Sequence, residues 1–133
     1  RASQLQDADR PEARLNLCVL EAELGDIAAA EVECRAALEL APRIPTVYVN
    51  LADILRAAGR EDEVRAILRK GLVIAPDNAA LWHALGLALV RQHRPAEALD
   101  ALKKATALEP GNARFAEVYR IARKELDPRG NPP

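Results

Sequence analysis

The sequence predicts an all-α protein made of stacked antiparallel helix pairs. Three observations carry this. Alanine supplies 27 and leucine 19 of the 133 residues, and only Tyr48, Trp82, Phe115 and Tyr119 are aromatic. Such a composition favours closely spaced helices over strands. The second observation is a period of 34 residues, kept by Pro42, Pro76 and Pro110, by Leu17, Leu51 and Leu85, and by Leu40, Ile74 and Leu108. The sets Cys34, Leu68, Leu102 and Cys18, Ala52, Gly86 take the same step, as do Ala37, Gly71 and Ala105. The third is punctuation: Gly25 and Gly59 fall at one place of the period, with His93 at its third occurrence. A repeat of this length is one helix–turn–helix unit that hides its apolar flank only by stacking on a neighbour.

The elements follow in order. Residues 1–10 read either as the frayed end of a preceding second helix or as a disordered leader. The first unit spans 11–44: one helix from Pro11 to Leu24, a turn at Gly25-Asp26, and a second from Ile27 to Leu40. Glycine supplies the left-handed residue that closes the first helix. Pro42 stops the second, because proline lacks an amide hydrogen and restricts the residue before it. The second unit spans 45–78 and the third 79–112. Pro45 and Pro95 stand where a helix begins, the place where a missing N–H costs nothing. Glu61, Asp62 and Glu63 open the second helix of unit two and complement its dipole. Residues 113–126 form a single capping helix with Phe115, Tyr119 and Ala122 inward, and the breaker-rich 127–133 form a disordered tail. Leu17, Leu20 and Leu24 share one ridge and are expected to face a neighbouring unit. Arg14 and Glu21 stand where bulky apolar residues are usual, so unit one is expected to fray first. Trp82→Ala is expected to cost about 3–5 kcal/mol if the ring lies between helices.

These residues resemble the tetratricopeptide repeat family. The third unit carries the pattern through Trp82, Leu85, Gly86, Leu89, Ala98, Leu102, Ala105 and Pro110. The second carries it through Tyr48, Leu51, Ala52, Leu55, Leu68, Gly71 and Pro76, and the first through Leu17, Cys18, Ala30, Cys34, Ala37 and Pro42. The resemblance implies a right-handed α-solenoid whose first helices line a concave face. It covers the chain from Pro11 to about Leu126.

Composition and motifs exclude several function classes. With 19 basic against 20 acidic residues, the chain is neither a strongly basic nucleic-acid binder nor a polybasic membrane binder. Exposed stacking aromatics are also wanting. The longest apolar stretch, Ala80 to Val90, is about half a membrane span. No basic-then-apolar segment opens the chain, and the residues name no compartment. No hydrolase elbow, phosphate loop or H-E-x-x-H is present, and His83 and His93 are too far apart to share a metal on one helix face. No catalytic residue, metal site or cofactor is therefore assigned, and the chain is read as a non-enzyme. His93 is read as an exposed turn residue. Cys18 and Cys34 fall on facing helices, where a disulfide is conceivable. The lack of a cysteine-rich framework favours two buried thiols.

The resemblance places the groove on the first helices. The candidate peptide-binding residues are Leu15, Asn16 and Val19 in unit one, Val49, Asn50, Asp53 and Arg56 in unit two, and His83, Leu87 and Arg91 in unit three. Ala22 and Glu23 extend the same inner line. Asn16 and Asn50 are 34 apart, and an amide that both donates and accepts can grip a peptide backbone whatever its sequence. Ala84 and Val118 break the row. Family members that clamp a C-terminal carboxylate carry lysines, asparagines and an arginine at the places of Leu15, Val19, Asn50, Ala80 and Ala84. Only Asn50 agrees, which speaks against such a clamp. The aliphatic residues instead suit an apolar stretch of peptide or a partner helix. The expected function is a non-catalytic protein-interaction scaffold with a protein or peptide partner. The alternatives are a structural spacer or weakly self-associating module, and an accessory domain of a larger bacterial enzyme.

Overall fold

The computed structural model describes residues 10–127. The readings made for 1–9 and 128–133 lie outside the described residues. Among the described residues there are seven helices and no strand: α1 Pro11–Glu23, α2 Ile27–Leu40, α3 Pro45–Ala57, α4 Glu61–Ile74, α5 Ala79–Arg91, α6 Pro95–Leu108 and α7 Ala113–Leu126. They fall into two compact units, one up to Gly71 and one from Leu72.

The turn inside each helix pair is built three times in the same way. Gly25 and Gly59 have φ of 86° and 77°, and His93 takes the same left-handed conformation at 58°. The amides of Asp26, Arg60 and Arg94 each donate to the carbonyl five residues back, on Glu21, Leu55 and Leu89, at 2.9 Å. The amides of Gly25, Gly59 and His93 close the inner bond to Ala22, Arg56 and Val90. This double closure satisfies carbonyls that a helix end otherwise leaves unpaired. Asn78 and Asn112 cap α5 and α7 by accepting from the amides of Leu81 and Phe115, and Asp26 caps α2 through Ala29.

In the first unit, α1 lies against α2, α2 against α3, and α1 also touches α3. Val47, Leu51, Leu55, Val64 and Leu68 are buried. Tyr48 is buried too, and its hydroxyl donates to the Pro42 carbonyl at 2.5 Å. Arg14, at the equivalent place of α1, instead donates to both oxygens of Glu33 on α2, at 3.0 and 3.2 Å. Glu31, Arg35, Arg60 and Glu63 form a ring of alternating charge between α2 and the start of α4. The guanidinium groups of Arg35 and Arg60 hold the Glu31 carboxyl below its usual range.

Two expectations for this unit are corrected. Cys18 and Cys34 are disulfide-bonded, with Cα atoms 5.3 Å apart, and are not a pair of thiols. Composition governs how many bridges a fold needs, whereas a single bridge needs only two facing Cβ atoms at the right distance. The ridge of Leu17, Leu20 and Leu24 is 40%, 50% and 73% exposed. α2 and α3 occupy the other flanks of α1, and nothing among the described residues buries this one.

In the second unit, α5 lies against α6 and α6 against α7. Leu81, Leu85, Leu89, Ala98, Leu102 and Ala105 form its core. Gly86 permits a close approach: a Cβ there would stand 2.6 Å from Leu102 Cδ2 and Cγ. Trp82 is only half-buried. Its indole N–H donates to the Pro76 carbonyl at 2.7 Å, repeating the Tyr48–Pro42 bond, and Lys104 Nζ sits 4.4 Å from the ring centroid.

Candidate functional site

A cleft of about 330 Å³ opens in the first unit. α1 supplies Cys18, Val19, Ala22 and Glu23, and α3 supplies Asn50, Asp53 and Ile54. The side chains converge through helix spacing. Val19, Ala22 and Glu23 stand three and four residues apart on α1, as do Asn50, Asp53 and Ile54 on α3. Cys18 and Ile54 are buried, Asn50 is half-buried, and Val19, Glu23 and Asp53 are exposed. The result is an aliphatic lining with one amide and two carboxylates.

The residues assigned from sequence are only partly brought together. Val19, Asn50 and Asp53 line the cleft. Leu15 and Val49 are half-buried, Asn16 and Arg56 are exposed, and none of these four lines it. In the second unit Leu87 and Arg91 are half-buried. His83 is corrected: it is 7% exposed, with its ring stacked on Phe115 at 4.3 Å between centroids and 20° between planes. α7 lays Phe115 on the imidazole, and neither ring nitrogen has a hydrogen-bond partner among the described residues. Burial, then the charge of Arg114, lowers its pKa. Cys18 and Ile54 also line the cleft and are not among the residues assigned from sequence; Ile54 sits one turn beyond Asn50 on α3, a signal the sequence carries.

A second cleft, of about 400 Å³, lies between α6 and α7 and is lined by Ala96, Leu99, Asp100, Lys103, Tyr119, Arg123 and Asp127. Its Arg123 guanidinium carbon lies 5.6 Å from the Tyr119 ring. No group of three or more metal-ligating side chains occurs among the described residues, and no helix among them is long and apolar enough to cross a membrane.

Two family models, both described as tetratricopeptide repeat, match residues 43–108 and 11–39. A human protein, Protein O-mannosyl-transferase TMTC3, is 32% identical over 91 residues, which is 68% of this chain and 10% of that protein. Its mouse counterpart is 32% identical over 78 residues, 58% of this chain and 8% of that one. The chain thus spans about a tenth of the length of these curated relatives. Among solved structures, the Yersinia enterocolitica type III secretion chaperone SycD in complex with a peptide of the translocator YopD has a TM-score of 0.74 at 19% identity, covering 87% of this chain and 88% of that one. The first TPR of Spaghetti (RPAP3) bound to an HSP90 peptide has 0.80 at 13%, covering 90% and 95%. The Sgt2 TPR domain of Aspergillus fumigatus has 0.75 at 22%, covering 92% and 85%. These likenesses show the fold, an all-α helical repeat of the solenoid class. With the family matches and the thrice-built turn, they establish that the chain belongs to the tetratricopeptide repeat family.

Proposed function

We propose that this chain is a non-catalytic interaction scaffold that holds a peptide segment in the cleft between α1 and α3. The observation that carries the reading is the convergence of Val19, Ala22, Ile54 and Asn50 on one open cleft. Its size suits one or two side chains of an extended peptide. The aliphatic lining takes an apolar side chain, and the Asn50 amide donates to and accepts from the peptide backbone. Two structural neighbours whose bound peptides are named lend support. On this reading residues 11–44, 45–78 and 79–112 are the repeats, α7 is a cap, and Asn16 extends the grip along α1. The test is selection of peptides from a display library, followed by Asn50→Ala and Asn16→Ala. Loss of a net hydrogen bond of about 1 kcal/mol at each predicts roughly five-fold weaker binding for the first and more for the pair, with no drop in Tm. Unchanged affinity removes the reading.

A second reading rests on the exposed ridge of Leu17, Leu20 and Leu24. Such a surface suits self-association through α1. Sedimentation over a concentration series shows it, and Leu20→Glu abolishes it. The resemblance to part of two O-mannosyl-transferases also fits an accessory role beside a catalytic domain.

A further inference from the structure

Cys18 on α1 and Cys34 on α2 are bonded, and both are fully buried. The same two places hold Ala52 and Leu68, then Gly86 and Leu102. Gly86 and Leu102 press their helices together by packing alone. The first helix pair has little such packing. Cys18 is the single buried residue of α1, and α2 adds only Ala30, Cys34 and Ala37. By contrast α3 buries Val47, Tyr48, Leu51, Ala52, Ile54 and Leu55. Arg14 replaces the aromatic seen at Tyr48 and Trp82, and its bond to Glu33 is partly solvated, an interaction that contributes little. The buried side chains of this pair are therefore small and few, the bonded cysteines are two of the four, and Cys18 also lines the cleft.

We propose that the Cys18–Cys34 bond is a redox latch that keeps α1 and α2 together and so keeps the cleft in shape; its regulatory meaning rests on the cleft being the peptide site. A dithiol reductant opens it. One of its thiolates attacks a cysteine sulfur and the Sγ–Sγ bond breaks. Its second thiol then resolves the mixed disulfide. Two electrons and two protons pass to Cys18 and Cys34, and the reductant leaves as its own disulfide. The thiols that remain are two small side chains in a helix pair whose other buried side chains are only Ala30 and Ala37, so α1 loosens and the cleft loses one wall. Because both sulfurs are buried, the bond is reached only when the pair opens, and a peptide that stabilises the closed pair slows its reduction.

The test is amide hydrogen exchange on the whole chain, oxidised and then reduced with dithiothreitol. Reduction is expected to speed exchange in residues 11–40 about ten-fold or more while α5 and α6 stay within about two-fold. The variant Cys18→Ala/Cys34→Leu copies the pair found at Ala52 and Leu68. It is expected to show no response to dithiothreitol. Unchanged exchange in 11–40 on reduction overturns the latch, and so does a variant that responds as the natural chain does. A selected peptide whose Kd survives an opened latch leaves the latch standing and removes the peptide reading of this cleft.

Discussion

Gly86→Ala sets helix propensity against packing, and the structure decides the winner. Gly86 lies inside α5, where alanine gains about 1 kcal/mol over glycine. Its new Cβ meets Leu102 Cγ and Cδ2 at 2.6 Å and the Leu102 backbone nitrogen at 3.3 Å. Leu102 is almost wholly buried, so its side chain has no solvent to swing into. Overpacking of this kind costs about 1–3 kcal/mol. Alanine stands at the equivalent place in the preceding repeat, Ala52, and is buried there, which keeps the expected cost toward the middle of that range. The net expectation is a loss of about 1 kcal/mol, or roughly 3–5 °C in Tm. Gly86→Val adds further atoms to the same contact and loses about 3 kcal/mol or more. Urea unfolding followed by circular dichroism reads both. A Gly86→Ala chain stabilised by about 1 kcal/mol, as propensity alone dictates, would refute the close approach of α5 and α6.

The other expectations concern single contacts. His83 has its pKa lowered below 6.5 by burial and then by Arg114, so the unfolded chain binds more protons than the folded one as pH falls past 6.5. The neutral ring's contribution is complete above that pH and is lost as pH drops through the lower folded value; the urea midpoint between pH 7.5 and 5 should fall further for the natural chain than for His83→Leu. Tyr48→Phe removes the bond to the Pro42 carbonyl and should cost about 0.5–1.5 kcal/mol by the same assay. Trp82→Ala should cost about 2–3 kcal/mol, below the range for a fully buried ring, because the indole is half-exposed. The Asn50 and Asn16 substitutions and the reduction experiment complete the set.

Periodicity made the fold legible because a 34-residue unit repeats its breakers and its small residues in step. Gly25, Gly59, Pro42 and Pro76 act through local backbone geometry, which sequence encodes directly. Even His93 was readable as a turn residue, since it stands at the glycine place and takes the glycine conformation. The cleft was readable in part: Val19, Asn50 and Asp53 are among the residues that the family resemblance places on the inner face of the first helices. His83 was not. Its place in the period matches Val49, and only the approach of Phe115 from α7 turns an inner-face position into a buried one.

Local rules therefore determined the helices, their ends and the left-handed turns, since each depends on neighbours within about five residues along the chain. Tertiary structure alone decided that Cys18 and Cys34 are joined, that the ridge of Leu17, Leu20 and Leu24 is exposed, and that Gly86 is pressed against Leu102. Each of these depends on the distance between two helices. That distance is set by all the side chains between them at once, and no residue's own type or spacing records it.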